Sequence, residues 1–344
     1  MLDKINSYRR KVTKKLTKNI GKTNYKSFET IDPQKIKKIL VIRPNHRLGN
    51  QLLVTPLVQE LKERFPNSTV DLFLKGNLGP ILFENFENVN QVIPLPKKHF
   101  KELFQYVKGW TRLMTHSYDL AVNVNRSSSS GKLATKLSNA KYKIFGENEE
   151  TLQTQLKDYQ HAAKNPVYNL RKVLHYASFE NIPVLDLKLD ETEKNNGKKM
   201  LNDIIKNNLK TIALFTYATG KKCYSKEWWQ TFYDNLKQVF PKYNIIEVLP
   251  VENVSQLDFT IPSFYSKNIR EIAGLIANCD VFIGADSGIM HLASASLTPT
   301  IGLFQYQNLP VYQPYGNQNT GFNTRQTPNS EIIHYIDKLL HTRI

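Results

Sequence analysis

The chain has 344 residues, enough for two domains of ordinary size, and 40% hydrophobic content with 17 Phe and 17 Tyr to build their cores. Two cysteines, Cys223 and Cys279, exclude a disulfide framework and a cysteine metal cluster. No run of 18 apolar residues marks a transmembrane helix, and the amino terminus lacks the apolar core of a signal peptide, so a reducing cytoplasm is expected. The net charge is +17, of which residues 1–38 hold +9, from twelve Lys/Arg against Asp3, Glu29 and Asp32.

That charge has a pattern. A helix over residues 2–20 puts Leu2, Ile5, Tyr8, Val12, Leu16 and Ile20 on one face. Lys4, Arg10, Lys11, Lys14, Lys15 and Lys18 fall opposite, with Arg9 inside the apolar stripe. A basic amphipathic arm of this kind, assigned to residues 1–35, fits a helix lying on an anionic membrane surface. A solvated arm or a loose nucleic-acid contact has the same composition. No basic-aromatic stripe or nucleic-acid motif appears elsewhere, so no nucleic-acid partner is expected.

After Pro33, residues 37–43 read as a buried strand, and Asn45-His46-Arg47-Leu48-Gly49-Asn50 as a polar loop. Leu52 to Arg64 reads as a helix, with Pro56 near enough its start to be tolerated. Val70 to Leu74 is a second strand, and this order opens a doubly wound parallel domain whose ligands sit beyond the carboxyl ends of the strands. Val92 to Leu95 is a strand, Phe100 to Met114 a helix, and Tyr118 to Val124 a strand running into the serine-rich loop 125–131. Residues 143–146 read as a last strand, and Asn165 to Ser178 as a helix. The charged segment Leu187 to Lys194 is read as the linker, giving domains 36–186 and 187–328 and a closing helix at 329–344.

A second β/α series begins with the strand Thr211 to Phe215, which opens into Thr216–Lys222. A helix enters at Ser225-Lys226-Glu227-Trp228 and runs to Phe240. Ile245 to Leu249 is a strand and Ser266 to Asn278 a helix. Val281-Phe282-Ile283 is then a buried strand that turns at Gly284-Ala285 into Asp286-Ser287-Gly288, two capping residues and a glycine, and a helix from Met290. A strand, a tight polar turn and a helix start make an anion-binding device, with unpaired N–H groups and the positive dipole end converging. The same pattern is also that of any capped β-turn-α unit. Thr300 to Phe304 is a strand, 306–326 is loop-rich, and Ser330 to His341 closes the chain as an amphipathic helix.

The residues at these turns resemble those of glycosyltransferase family nine, the lipopolysaccharide heptosyltransferases. Arg47-Leu48-Gly49-Asn50 with Thr55-Pro56 resembles that family's amino-terminal Arg-x-Gly-Asp motif. Asp286-Ser287-Gly288-x-x-His291-Leu292-Ala293 resembles its carboxy-terminal motif, and Ser225-Lys226-x-Trp228 its Lys-x-Trp element. The resemblance covers roughly residues 36–320. It implies an α/β fold of GT-B type, two Rossmann-like domains facing across a cleft. It also implies an inverting transfer without a required metal or cofactor, from a nucleotide-sugar, ADP-heptose or similar, to a lipopolysaccharide-core type glycolipid. On that footing the donor diphosphate meets Thr219, Gly220, Lys226, Asp286, Ser287, Gly288 and His291, and its ribose meets Glu252. The acceptor meets Arg47, Gly49, Asn50 and Arg126, with Arg43 and Lys132 on the same side. The resemblance also implies action at the cytoplasmic face of the inner membrane.

One position departs from the pattern. The family carries an aspartate, read as the general base, where this chain has Asn50, and an amide cannot take a proton from a hydroxyl. His46 in the same loop, another carboxylate such as Asp119, an already ionised acceptor, or a binding protein that has lost transfer all remain open.

Overall fold

The computed structural model describes residues 15, 17, 19–97 and 102–341. The basic helix read over 2–20 therefore falls, apart from residues 15, 17, 19 and 20, outside the described residues, as does Phe100 of the helix read from there. The chain divides into two compact units, Met1–Pro183 and Val184–Ile344.

In the first unit, five strands form one parallel sheet in the order 3-2-1-4-5: β1 (Lys38–Arg43), β2 (Thr69–Lys75), β3 (Val89–Leu95), β4 (Ser117–Asn123) and β5 (Asn139–Ile144). Helices α1 (Leu48–Leu52), α2 (Thr55–Arg64), α3 (Gly79–Leu82), α4 (Leu103–Thr115), α5 (Ser129–Leu137), α6 (Glu150–Gln155) and α7 (Lys164–Val173) connect and cover it. Buried on both faces, β1 is a near-continuous apolar run.

Two sequence readings change here. The polar loop after β1 is helical from Leu48, and the helix read from Leu52 is broken before Thr55. Pro56 has no N–H to donate to the Leu52 carbonyl and its ring crowds that position. The Thr55 hydroxyl donates to Leu52 O instead, at 2.8 Å. The serine-rich stretch is likewise half helix. Ser128 accepts from Gly131 N at 3.0 Å and starts α5, whose Ser-Ser-Gly-Lys opening shows little apolar periodicity in sequence.

Ahead of β1 the described residues are anchored, not free. Thr23 donates from its backbone N and its hydroxyl to Glu147, both at 2.6 Å, and Phe28 is buried against the Tyr142 ring. Glu60 of α2 is fully buried and accepts a bidentate pair from Arg171 of α7 at 2.7 and 2.8 Å, with Arg64 adding a third bond at 2.8 Å.

The second unit repeats the plan. Strands β6 (Thr211–Phe215), β7 (Asn244–Val248), β8 (Ser263–Phe264), β9 (Val281–Ala285), β10 (Thr300–Phe304) and β11 (Thr320–Asn323) are parallel, in the order 11-10-9-6-7-8. Its helices are α8 (Glu191–Ile205), α9 (Lys226–Val239), α10 (Ile269–Ile276), α11 (Gly288–Ala295), α12 (Leu309–Tyr312) and α13 (Asn329–His341). α13 lays Ile332, Ile336 and Leu340 on Trp229, Phe232 and Leu236 of α9.

The segment read as a linker is part of this unit. Leu187 is buried and its N–H donates to Ala295 O at 2.8 Å. Asp190 and Glu193 then cap the start of α8 reciprocally. Its high charge is the chemistry of a helix start, and Glu193 also holds the buried Arg270 guanidinium at 2.7 Å. α8 crosses α10 closely at two glycines: a Cβ at Gly197 would lie 2.0 Å from Gly274 O.

In both sheets the strand order reverses at one place, between β1 and β4 and between β6 and β9. Loops leaving the carboxyl ends of such strand pairs diverge and leave a crevice for ligands.

Candidate functional site

In the second unit the crevice lies between the loops after β6 and β9. Ser287 caps α11, accepting from Met290 N at 3.2 Å. By helix geometry the Gly288 and Ile289 N–H groups have no acceptor within the helix, and both residues are half-exposed. His291, one turn in, is buried with its ring 6.3 Å from that of Tyr312.

Asp286 does not face outward. Its N–H donates to Leu303 O at 3.0 Å, and its carboxylate is held by Lys222 at 2.5 Å and by Asn308. Lys222 also lies 5.8 Å from the Tyr312 ring. A buried carboxylate thus fixes a lysine beside a helix start and the two charges cancel, so what the site offers an anion is the remaining Lys222 N–H donors and the helix-start N–H groups with the positive dipole end.

The expected residues fall in three places. Asp286, Ser287, Gly288 and His291 come together at the α11 start. Thr219 and Gly220 are exposed on the loop after β6, where Gly220 takes φ +63° at the start of a short 3-10 turn. Lys226, read as the mobile cation, is the first residue of α9 and pairs with Asp258, both half exposed or more. The lysine bound into the Asp286 cluster is Lys222, four residues earlier. The sequence signal for it was Lys221-Lys222 directly after Gly220 at a strand end.

Glu252 is exposed in a turn closed by Asn253 N to Pro250 O at 2.8 Å. That loop is tied to β6 through Glu247, which is fully buried in β7. Glu247 accepts from the Thr216 hydroxyl and, at 2.5 Å, from the Ser255 hydroxyl. Thr216 Oγ1 in turn accepts from Gln256 N, and Ser255 Oγ from Leu257 N and Phe259 N. With each hydroxyl's proton given to Glu247, both carboxylate oxygens must be acceptors. Burial pushes the Glu247 carboxyl above its ordinary value, and the bonds from Ser255 and Thr216 oppose that shift. Glu247→Gln is therefore expected to set an amide N–H against a hydroxyl proton and destabilise by about 1–3 kcal/mol. Urea unfolding of the variant checks this, and unchanged stability would refute the bond inventory. An acid within Ile-Ile-Glu-Val is the only sequence trace of this network.

In the first unit the crevice lies beyond β1 and β4. Arg43, at the end of β1, is buried and donates to Asn50 Oδ1 at 2.5 Å. Buried Gln51 donates to Asn45 O and Lys75 O at 2.8 and 2.9 Å, tying the loop to β2. Gln51 Oε1, and Asn123 Oδ1 at the end of β4, are buried atoms without a hydrogen-bond partner among the described residues.

Gly49 is a buried residue of α1, whereas His46, Arg47 and Arg126 are exposed. The His46 imidazole is held below its ordinary 6.5, first by partial burial and then by the charges of Lys75, Lys97 and Arg47. One expectation fails. Asp119 accepts from Lys37 N and Lys38 N at 2.8 and 2.9 Å, at the amino end of the sheet, so it is no base for this crevice. Lys132 reaches Thr17 O at 3.5 Å, drawn to the segment ahead of β1. Among the described residues no group of three or more His, Cys, Asp or Glu stands placed to hold a metal, and no helix is long and apolar enough to cross a membrane.

Comparison with known proteins agrees with this arrangement. The family model of glycosyltransferase family 9 (heptosyltransferase) matches residues 266–341. The chain is 25% identical over 291 residues to lipopolysaccharide heptosyltransferase 3 of Escherichia coli K12, covering 78% of this chain and 82% of that protein. Its fold is that of a glycosyl transferase family 9 protein from Veillonella parvula, with a TM-score of 0.69 at 16% identity over 90% of this chain and 99% of the other. It is likewise that of E. coli heptosyltransferase WaaC, solved with ADP-2-deoxy-2-fluoro heptose, with a TM-score of 0.61 at 14% identity over 88% and 99%. The resemblance read from the turn motifs therefore holds: the fold is of GT-B type, and the chain is a heptosyltransferase-like glycosyltransferase.

Proposed function

We propose that this glycosyltransferase moves a heptose or similar sugar from a nucleoside-diphosphate sugar, ADP-linked, to a lipopolysaccharide-core type glycolipid, with inversion at the anomeric carbon. An acceptor hydroxyl attacks that carbon as its bond to the diphosphate breaks, and the hydroxyl proton passes to a base. The developing diphosphate charge is met, without a metal, by the Gly288 and Ile289 N–H groups and by Lys222, with Lys226 and His291 adding donors as the sugar binds. Thr219 and Gly220 bond the phosphates from the loop after β6, and Glu252 the ribose. Arg47, Gly49, Asn50 and Arg126 position the acceptor. The basic amino-terminal arm is assigned to the anionic inner-membrane surface on its cytoplasmic side.

The observation that carries the reading is the α11 start with Lys222 fixed beside it at the strand-order reversal. The WaaC relative was solved with an ADP-linked sugar analogue, which makes ADP the first nucleotide to try. Calorimetry should show ADP binding to the wild type, weakened about tenfold or more by Lys222→Ala and by His291→Ala, since each removes a charged or buried donor. Equal affinity in all three proteins would sink the phosphate site. The second reading, a sugar-nucleotide binder without transfer, is favoured by one observation: Arg43 engages an amide at Asn50 where a base is needed. Donor binding without turnover on any core acceptor would select it.

A further inference from the structure

The net charge sits almost wholly in one unit. Residues 1–183 hold 31 Lys/Arg against 15 Asp/Glu, and residues 184–344 hold 16 against 15. Within the first unit, α4 has three faces. At about 100° per residue, Tyr106, Gly109, Trp110 and Leu113 share the face turned inward. Gly109 and Leu113 are buried, and Tyr106 and Trp110 pack on the core around Phe73 and Ile93.

On the next face fall Leu103, Met114, Val107 and Phe104, all in solvent: Phe104 is 82% exposed, Leu103 61%, Val107 53% and Met114 41%. The third face carries Lys108 and Arg112, and the helix has no acidic residue. A groove of about 260 Å³ runs beside the stripe, between Pro94 of β3 and Phe104, Lys108 and Arg112 of α4. Single exposed apolar residues are ordinary, but a contiguous stripe with a polar rim marks a surface that something covers.

Its position is informative. A helix following a parallel strand begins at the carboxyl end of the sheet, so Leu103 and Phe104 lie at the end that carries the loop after β1. Lys97 leads into α4 and flanks Gly76 together with His46: a Cβ at Gly76 would lie 2.8 Å from Lys97 Cε and 3.4 Å from His46 Cβ. The stripe and the candidate acceptor loop therefore share one end of the unit.

We propose that α4 is a membrane-docking helix, with Leu103, Phe104, Val107 and Met114 in the interface of an anionic bilayer and Lys97, Lys108 and Arg112 against its lipid phosphates. The strong positive charge of the unit argues for this occupant over a second copy, which it would repel. The purpose of docking, bringing a glycolipid to the segment at 44–52, rests on the transfer reading. The docking itself is measurable without any sugar.

The test uses full-length protein and vesicles of phosphatidylethanolamine with phosphatidylglycerol, against phosphatidylcholine alone. In Phe104→Trp the new indole should shift its emission to the blue and be quenched by brominated acyl chains on the anionic vesicles only. The double variant Phe104→Ser with Val107→Ser should partition at least about tenfold more weakly, while binding ADP as the wild type does, which shows that its fold is intact and tests the donor site separately. An unshifted, unquenched indole in Phe104→Trp, with undiminished partition of the double variant, overturns the proposal. So does a stripe whose loss dissolves a dimer in sedimentation while leaving vesicle binding unchanged, since the occupant would then be a second copy.

Discussion

Replacing Glu60 by Ala is expected to lower the unfolding free energy of the first unit by about 3–5 kcal/mol, because Arg171 is left as a buried charge without its partner. For a unit of this size that is a fall in Tm of roughly 6–20 °C, read by calorimetry. Burial opposes ionisation of Glu60, but the hydrogen bonds and charges of Arg171 and Arg64 outweigh it and hold the carboxyl below its ordinary 4.5. A depressed carboxyl contributes stability that is complete above 4.5 and lost as pH falls through its folded-state value. The acid limb of a stability-pH curve should therefore flatten in Glu60→Ala. Replacing both Glu60 and Arg171 with apolar residues should recover much of the loss, since the pair's own attraction is offset by its desolvation. A single variant within about 0.5 kcal/mol of wild type would show that the pair does not pin α2 to α7.

The second large effect concerns the acceptor's proton. With the transfer reading and His46 as base, His46→Ala should lower kcat by about 10²–10⁴-fold and leave ADP affinity unchanged. Partial burial, Lys75, Lys97 and Arg47 all disfavour the imidazolium. The base is thus neutral at pH 7, and the acid limb of kcat/KM should fall below pH 6.5. Asn50→Asp places a carboxylate against Arg43, which would hold it ionised at neutral pH. In the His46→Ala background that change should restore part of kcat and move the acid limb lower still. Full activity in His46→Ala would remove His46 as base and leave an ionised acceptor as the alternative.

Much of the architecture was legible because parallel strands buried on both faces are written as apolar runs. The run at 211–215 coincides with β6 and that at 300–304 with β10. The α11 start was legible because capping is local: Ser287 reaches only to Met290. Elements without a strong apolar period were not seen, among them α5, α6 and the short β8 and β11. The break between α1 and α2 depended on one carbonyl being re-satisfied by the Thr55 side chain, which no window average registers.

What the sequence by itself determined is the alternation of strand and helix, the cap chemistry at each turn, and the family resemblance carried by Arg47–Asn50 and Asp286–Ala293. Those are local properties, set by burial period and by side chains bonding their own backbone. Only the tertiary structure decided which charges meet. Asp286 selects Lys222, 64 positions away, and leaves Lys226 to Asp258. Asp119 closes the far end of its sheet, and Glu247 gathers two hydroxyls from separate loops. A long polar side chain has many partners within reach along the sequence, and the packed strand ends choose among them.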